Sequence, residues 1–329
     1  MSNVTLGPSA ELGLQIYQGS NVYFSKINKQ GGINNRKVKI IALNDGYEPL
    51  NTIKNTKKFI LQDKVFALFG YVGTPTSFSI LPLIEKSDIP YLMPFTGAEF
   101  LRNHKNVYNY RPSYYDEASE QINYLVNKKK ITKIGLLIQA DEFGLSVEQG
   151  LLKALSDHNL KPIVTTRFQR NTKDIEKALY KLKNKDVEAV ALVGTYKPLS
   201  NLINLANEQE FKPYFTSVSF VSSSTLFNNI HKKTKILVTE VLPNPTKCAL
   251  TICKQFNLDM KLAGYKETSQ IQFEGYLNAY IFHAAVNKCK ADLTRSCLLK
   301  SLKAIDLSLL GFEKRKTSNP LKTIYFSFQ

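Results

Sequence analysis

The chain has 329 residues, 43% of them hydrophobic and 11% aromatic, which is enough for two domains with apolar cores of their own. Lys and Arg number 44 against 27 Asp and Glu, so the formal net charge is +17. Because the basic residues are spread along the chain without interleaved aromatic residues, the charge predicts a solvated basic surface and argues against a nucleic-acid partner. No apolar run approaches the ~18 residues that a membrane span needs.

Strand and helix patterns alternate along almost the whole chain. In the first part, strands are predicted at residues 4–6, 37–43, 65–69 and 89–93, and helices at about residues 10–28 and 49–62. In the middle part, strands are predicted at residues 133–138, 163–167, 189–194, 214–217 and 236–241, with helices between them. Helices are predicted again at about residues 250–264, 270–287 and 294–305, and a last strand at residues 322–328.

Repeated β–α units require parallel sheets that are covered by helices. Two proline-marked stretches, residues 108–113 and 242–245, interrupt the alternation and predict crossings between two lobes. The predicted fold class is therefore α/β, with two Rossmann-like lobes built on parallel-type central sheets and joined by a multi-strand hinge. Lobe 1 is predicted to comprise residues 1–112 and 245–319, and lobe 2 residues 113–244 and 320–329.

The turn at residues 70–77 follows a predicted strand and precedes a predicted helix. Its two glycines allow the backbone to approach a ligand closely. Thr74, Thr76 and Ser77 place short hydroxyl groups at the start of the helix, where backbone N–H groups are also free. Such a turn can hold an anionic group such as a carboxylate. The alternative interpretation is an ordinary strand-to-helix turn with a threonine N-cap.

Four further turns follow predicted strands, at residues 96–98, 139–144, 194–196 and 219–220. Ligands of open α/β sheets bind beyond the carboxyl ends of the strands. These turns and the first one are therefore predicted to converge on a cleft between the lobes, where a small ligand binds.

Motifs of enzymes and of metal sites are absent from the sequence. Its histidines are not arranged as metal ligands, and there is no nucleophile elbow, phosphate loop or dinucleotide-binding fingerprint. The adjacent carboxylates Asp141 and Glu142 are expected to be solvated or to cap a helix. The sequence thus predicts a protein that is not an enzyme and that holds no cofactor or metal.

Four cysteines lie in the last third of the chain: Cys248, Cys253, Cys289 and Cys297. Their spacing does not match a zinc site, and an even number in one region fits disulfides formed in an oxidising compartment. Three pairings are possible. If residues 248–253 form one continuous helix, the first two cysteines point apart and cannot bond. Buried free thiols are the alternative.

Several motifs occur in an order that is typical of one protein family. Residues 28–37 match the pattern N-x-x-G-G-I-x-G-x-x except that Asn35 replaces a glycine, and residues 70–76 match G-x-x-[GS]-[ST]-x-[ST]. The segments at residues 95–98 and 194–196 follow at the family's usual places. The chain resembles the type I periplasmic binding proteins, most closely the branched-chain amino-acid-binding group that delivers ligands to ABC transporters.

The resemblance implies which residues bind the ligand. Thr74 and the nearby N–H groups would hold a ligand carboxylate, and residues 96–98 would help to hold its polar head. Phe143 and Tyr196 would close over the ligand from the second lobe. The complete predicted set is Tyr71, Gly73, Thr74, Thr76, Phe95, Thr96, Gly97, Ala98, Phe143, Tyr196, Ser219 and Phe220.

One departure from the family concerns the ligand's amino group. Relatives often place a carboxylate near the position of Ser219 to pair with an ammonium, but residues 217–220 contain no acid. Because an unpaired buried ammonium is costly, either Asp116 or Asp141 takes this role or the ligand is not a free amino acid.

The resemblance implies an extracytoplasmic solute-binding protein that captures an amino acid, branched-chain-like, or another small carboxylate between its lobes and delivers it to an ABC transporter. The alternative is the ligand-sensing ectodomain of a signalling receptor with the same fold. The expected partners are the small-molecule ligand and a membrane permease or sensor protein, and the protein is expected to be a monomer. The expected location is periplasmic or extracellular, with a secretion leader that this sequence does not show.

Overall fold

The computed structural model describes residues 1–7, 9–172, 175–290, 293–312, 321 and 323–329. The chain divides into two compact units. Unit 1 comprises Met1–Thr96, Phe100–Arg111 and Leu242–Thr323, and unit 2 comprises Gly97–Glu99, Pro112–Val241 and Ile324–Gln329. Strands and helices alternate along most of the chain, as the sequence pattern predicts.

The strands are short in unit 1 and longer in unit 2. In chain order they are β1 Ser2–Asn3, β2 Leu43–Asn44, β3 Leu68–Phe69, β4 Tyr91–Leu92, β5 Val107–Tyr108, β6 Ile134–Gln139, β7 Val164–Phe168, β8 Ala189–Val193, β9 Tyr214–Ser217, β10 Ile236–Glu240 and β11 Tyr325–Phe328.

The helices are α1 Ala10–Lys29, α2 Pro49–Leu61, α3 Thr74–Ser87, α4 Tyr114–Asn123, α5 Glu142–Asp157, α6 Glu176–Lys183, α7 Tyr196–Glu208, α8 Ser223–Asn228, α9 Thr251–Leu262, α10 Gln270–Cys289 and α11 Arg295–Lys303. A π-helical turn at Tyr124–Lys128 continues α4, and short 3₁₀ turns lie at Glu99–Asn103, Ser219–Val221 and Leu307–Leu310.

Parallel pairing dominates the sheets of both units. In unit 1, β1 pairs with β2, and β3, β4 and β5 form a three-stranded parallel sheet. Unit 2 contains a six-stranded sheet in the order β11-β10-β9-β8-β6-β7. All its neighbours are parallel except β11, which runs antiparallel to β10. Every residue of β6 and of β8 is buried, as expected for strands covered on both faces.

The strand predicted at residues 37–43 is wrong for most of its length. Only Leu43 belongs to β2, and residues 37–42 form no ladder with another strand in the described part of the chain. Their apolar and β-branched composition is typical of a strand, but a strand also needs a partner whose backbone completes its hydrogen bonds.

Helices α1 and α10 of unit 1 pack with their backbones in close contact. A Cβ atom on Gly19 would lie 1.8 Å from the carbonyl oxygen of Gln272, and one on Gly275 would lie 2.2 Å from that of Ile16. Ser20 ties the same surfaces together, because its hydroxyl donates to the carbonyl oxygen of Gly275 at 2.8 Å. Each helix therefore needs a glycine at the point of closest approach.

We expect Gly275→Ala to lower the free energy of unfolding by about 3 kcal/mol, because the added methyl group would force the two backbones apart. The gain in helix propensity from the same change is only about 1 kcal/mol and cannot offset this clash. Urea unfolding measures the difference. The exposed α9 position Lys254 provides the control, since Lys254→Ala should change the stability by less than about 0.5 kcal/mol. A Gly275→Ala variant as stable as this control would contradict the close packing.

The structure pairs the cysteines as Cys248–Cys253 and Cys289–Cys297, with Cα–Cα distances of 5.9 Å and 6.0 Å. The first bond can form because α9 begins only at Thr251, so its two cysteines do not lie on one continuous helix. No cysteine of the chain is left free. The alternative of buried free thiols does not apply to this structure.

Candidate functional site

The turn between β3 and α3 brings a glycine, a tyrosine ring and a helix N-terminus together. Gly73 has a φ angle of +113°, and a Cβ atom there would lie 2.4 Å from Cε2 of Tyr47, so only glycine fits. Helix α3 begins at Thr74, and its N-cap, Gly73, supplies no side-chain oxygen to the first-turn N–H groups. The positive end of a helix dipole and its N–H groups favour an anion at this position.

Two threonine hydroxyls meet beside this helix N-terminus. Oγ1 of Thr74 lies 2.7 Å from Oγ1 of Thr96, and both residues are buried. Thr74 follows β3 and Thr96 follows the neighbouring β4, so two adjacent parallel strands lead to the same point. Asn109 holds the second threonine in place, since its side-chain amide donates to the Thr96 carbonyl oxygen at 2.8 Å.

Two other predicted ligand residues of this turn bond to the protein itself. Oγ1 of Thr76 donates to the carbonyl oxygen of Val72 at 2.7 Å. The hydroxyl of Tyr71 lies 3.1 Å from Oγ1 of Thr56 in the interior of unit 1, where burial raises the pKa of Tyr71. These side chains shape the turn, and their contact with a ligand stays a prediction.

Phe95 lies beside a buried ion pair. The guanidinium carbon of Arg111 is 4.3 Å from the centre of the Phe95 ring, and its Nη1 is 2.5 Å from Oε2 of Glu274 on α10. The side chains of Arg111 and Glu274 are only 1% and 4% exposed. Burial raises the pKa of Glu274, and the guanidinium opposes that shift. The pair fixes the chain segment that leaves unit 1 directly after Arg111.

We expect Glu274→Ala to lower the free energy of unfolding by about 3–5 kcal/mol, because it leaves the Arg111 guanidinium buried without its carboxylate. The double variant Arg111→Met/Glu274→Leu removes both charges and should recover most of that loss. Chemical denaturation of the three proteins measures both effects. A single variant within 1 kcal/mol of the parent would show that the charge of Arg111 does not depend on Glu274.

In unit 2, three buried aromatic rings form a cluster, and two of them lie in segments that follow strands. Phe143 lies in the first turn of α5, directly after β6, and its ring centre is 4.6 Å from that of Phe220, which follows β9. The ring of Tyr114 lies 5.5 Å from that of Phe143. The two phenylalanines were predicted as ligand residues, and this unit brings them into contact with each other.

A buried carboxylate that the sequence did not single out lies next to Ser219. Glu117, in the first turn of α4, accepts hydrogen bonds from the N–H of Ser219 at 2.7 Å and from its hydroxyl at 2.9 Å. A third hydrogen bond comes from Oγ1 of Thr239 at 2.6 Å. Glu117 is fully buried. Residues 217–220 contain no acid, but Glu117 on α4 brings a carboxylate into contact with Ser219.

A family model for periplasmic binding proteins matches residues 3–323 of this sequence. The chain belongs to the periplasmic binding protein family. An amino acid binding protein from Pseudomonas aeruginosa is 22% identical over 213 residues, which are 64% of this chain and 57% of that protein. The chain thus spans little more than half the length of this relative.

Solved structures agree with the family. A possible leucine/isoleucine/valine-binding protein from Rhodopirellula baltica has a TM-score of 0.93 and 30% identity over 99% of this chain and 92% of that one. A branched-chain amino acid transporter substrate-binding protein from Streptococcus pneumoniae, in complex with isoleucine, has a TM-score of 0.84 and 16% identity over 99% and 93% of the two chains. A solute-binding protein from R. palustris, in complex with benzoate, has a TM-score of 0.87 and 14% identity over 98% and 90%. The last two likenesses concern the fold alone.

These findings confirm the fold class and the family that the sequence predicts. This periplasmic binding protein has the type I fold, mixed α/β with parallel sheets. The family and its structural neighbours are non-enzymatic solute-binding proteins, and the family name implies a periplasmic location. Within the described ranges, no three His, Cys, Asp or Glu side chains are grouped as a metal site. No helix there is both long and apolar enough to cross a membrane.

The two carboxylates that the sequence offered for a ligand ammonium both cap helices of this periplasmic binding protein. The side chain of Asp116 accepts from the N–H of Ser113 at 2.8 Å, and the hydroxyl oxygen of Ser113 accepts from the N–H of Asp116 at 3.1 Å. These two hydrogen bonds form a capping box at the start of α4. Asp141 is the N-cap of α5 and accepts from the N–H groups of Phe143 and Gly144, both at 3.1 Å. Burial raises the pKa of Asp141, against the effect of these hydrogen bonds.

The remaining predicted residues belong to unit 2. Gly97 accepts a hydrogen bond from the N–H of Tyr114 at 2.9 Å, and Ala98 is buried beside it in the chain. The predicted group at residues 96–98 is thus divided, because Thr96 belongs to unit 1. Tyr196 starts α7 directly after β8 and packs in the hydrophobic core of unit 2.

Proposed function

We propose that this periplasmic binding protein captures a small carboxylate, in the first place an amino acid with an apolar side chain, and delivers it to an ABC transporter. The observation that carries the proposal is the pair of hydroxyls of Thr74 and Thr96, 2.7 Å apart beside the N-terminus of α3. A carboxylate can accept hydrogen bonds from hydroxyls and from first-turn N–H groups without a formal cation.

The ligand's other end is proposed to bind residues of unit 2. Glu117 already receives three hydrogen bonds, which hold its carboxylate in one orientation. A ligand ammonium would add a charge-assisted hydrogen bond to this carboxylate. Phe143 and Phe220 would offer apolar surface to the side chain. Asp116 and Asp141 are weaker candidates, since their oxygens cap helices.

The solved complexes of this fold support a carboxylate ligand without deciding which one. Isoleucine, bound by the protein from Streptococcus pneumoniae, is a carboxylate with an ammonium, and benzoate, bound by the protein from R. palustris, is a carboxylate without one. The presence of Glu117 in unit 2 favours the first kind for this protein.

The proposed setting is a monomer in the periplasm. Two disulfides suit an oxidising compartment. The proposed partner is a membrane permease of an ABC transporter. The alternative function is the ligand-sensing ectodomain of a signalling receptor. Both functions need the same ligand-binding step and differ only in the membrane protein that recognises the ligand-bound form, so the tests below apply to both.

We expect isoleucine or benzoate to raise the melting temperature, because a ligand that binds only the folded state stabilises it. Isoleucine amide, which lacks the carboxylate, should not. Thr74→Val should weaken binding by roughly tenfold or more, since it removes a hydrogen bond to a charged group. Thr74→Ser keeps the hydroxyl and serves as the control. Differential scanning fluorimetry and calorimetry measure both effects. A flat response to every carboxylate, or an affinity that Thr74→Val leaves unchanged, would refute the site.

We expect Glu117→Gln to separate the two ligand kinds. It should weaken isoleucine binding by roughly 10–100-fold, because the ammonium loses its charged partner, while any benzoate binding stays the same. Glu120→Gln, at an exposed position of the same helix, is the matched control and should affect neither. Equal loss of both ligands would assign Glu117 a structural role only.

A further inference from the structure

Four aromatic rings form a partly exposed group in unit 2, which we call the aromatic cluster. They belong to Tyr124 on the π-helical turn, Tyr214 at the start of β9, and Phe326 and Phe328 on β11. The centre of the Tyr124 ring lies 6.0, 5.8 and 5.7 Å from the centres of the other three, in that order. Phe328 is 50% exposed, the other rings are partly buried, and β11 is the outer strand of its sheet. The cluster therefore lies at the surface of unit 2.

The π-helical turn holds a lysine against this cluster. The ammonium of Lys129 lies 5.5 Å from the centre of the Tyr124 ring and 5.6 Å from that of Tyr214, within the range of a cation–π interaction. In an α-helix, with about 3.6 residues per turn, two residues five positions apart lie on different faces. Here the N–H of Lys129 donates to the carbonyl oxygen of Tyr124 at 3.1 Å, and the wider turn brings the lysine back over the ring. Such turns are rare and occur frequently at functional sites.

Further exposed lysines lie at the same end of unit 2. A consecutive run of them ends the π-helical turn, and the others lie just before the parallel strands β6, β9 and β10. Because neighbouring parallel strands start at the same edge of a sheet, these lysines lie at the edge where Tyr214 begins β9. They are Lys128, Lys129, Lys130, Lys133, Lys212 and Lys235. The sequence separates most of these lysines from the aromatic residues, and the fold brings the two kinds of side chain together.

Acidic residues at this edge balance only part of the positive charge. Asp186 pairs with Lys133, and Glu210 pairs with Lys212. Glu188 accepts hydrogen bonds from the backbone N–H groups of the two residues before β6, at 3.1 Å and 3.2 Å. The other lysines around the aromatic cluster form no ion pair with any residue that the structure describes. The surface thus combines apolar rings with an excess of ammonium groups, and it is complementary to a partner that is both anionic and apolar.

We propose that the aromatic cluster and the lysines around it bind the surface of a lipid bilayer that contains anionic headgroups. The ammonium groups contact the headgroup phosphates, and the exposed ring of Phe328 reaches the boundary with the acyl chains. Aromatic rings and lysines are both suited to this boundary, because each joins an apolar part to a polar or charged tip or places a ring at headgroup level.

The proposed surface is separate from the candidate ligand residues of unit 2. Phe143 and Ser219 follow the carboxyl ends of β6 and β9, whereas Lys133 and Tyr214 lie at the amino ends of the same strands. Contact with a bilayer at the amino ends would therefore leave the carboxyl ends free. The proposal thus goes beyond the proposed function and does not depend on which ligand is bound.

A single-stranded nucleic acid is the competing partner, because its phosphates would bind lysines and its bases stack on aromatic rings. Stacking needs an open ring face, however, and the ammonium of Lys129 lies over the rings of Tyr124 and Tyr214. The other two rings of the cluster pack against Tyr124 and against each other. The periplasmic location that the family name implies also favours the bilayer, since membranes bound that compartment.

The first test measures co-sedimentation of the full chain with vesicles. We expect binding to vesicles of equal parts phosphatidylglycerol and phosphatidylcholine but not to phosphatidylcholine alone, and high salt should weaken it by screening the charges. Lys128→Gln/Lys129→Gln/Lys130→Gln should weaken binding roughly 100-fold, since each lysine at an anionic surface contributes about fivefold. Lys54→Gln/Lys57→Gln/Lys254→Gln removes the same charge from exposed positions of unit 1 and should bind like the parent. Both variants should keep the parent's melting temperature.

The second test uses fluorescence, because the chain contains no tryptophan and an introduced one reports only on its own surroundings. Phe328→Trp should shift its emission to shorter wavelengths on the phosphatidylglycerol vesicles, as the ring leaves water. Leu262→Trp, at an exposed position of α9 in unit 1, is the matched control and should not shift.

Equal vesicle binding by the two triple variants would overturn the proposal, and so would equal emission shifts for the two tryptophan variants or no shift in either. Binding of single-stranded oligodeoxythymidylate without binding of the phosphatidylglycerol vesicles would assign the surface to nucleic acid instead. Loss of vesicle binding in the residue 128–130 variant alone, with a shift at position 328 alone, would support the proposal.

Discussion

Parallel pairing places every turn that follows a strand at the same edge of its sheet, and the candidate site depends on this constraint. In unit 1 it brings Thr74, after β3, next to Thr96, after the neighbouring β4. In unit 2 it brings Phe143, after β6, against Phe220, after β9. The two residues of each pair lie far apart in the sequence, and the sheet brings them together without the help of a long side chain. The ladders determine the register, and the register determines which short polar or aromatic groups meet.

Buried charge is the second constraint, because a charged group inside a protein must be paired or hydrogen-bonded. Unit 1 satisfies it with the pair of Arg111 and Glu274, which links the segment leaving the unit to α10. Unit 2 satisfies it in another way for Glu117, whose carboxylate accepts from one backbone N–H and two hydroxyls. An ion pair balances a buried charge with an opposite charge, and hydrogen bonds from dipolar groups stabilise a buried charge as well. The Arg111–Glu274 pair holds the fold, and recognition of the ligand by Glu117 belongs to the proposed function.

The sequence predicted what depends on local pattern and missed what depends on convergence of distant segments. The alternation of β–α units and a turn after β3 are local, and the structure has both, although α3 begins at Thr74, within the predicted turn. The strand at residues 37–43 was mostly wrong because a run of β-branched residues says nothing about whether a partner strand lies beside it. Glu117 was missed because its meaning comes from Ser219 and Thr239, more than a hundred residues away along the chain. Its neighbour Asp116 was singled out instead, and a capping box with Ser113 would have been a sufficient local explanation for that carboxylate.

The proposed division of labour has a consequence for selectivity. The groups offered by unit 1, two hydroxyls and the N–H groups of a helix start, are neutral, and a helix dipole contributes about half a charge at most. Such groups bind any small carboxylate to a similar extent, and they let it go more readily than a lysine or arginine would. Under the proposed function, discrimination between an amino acid and a simple organic acid would come from unit 2, where a buried carboxylate would favour an ammonium and disfavour a second negative charge. If the proposed function holds, a protein that both captures and releases its ligand would gain from this arrangement. The contacts common to all ligands would be of moderate strength, and a single side chain would select among the ligands.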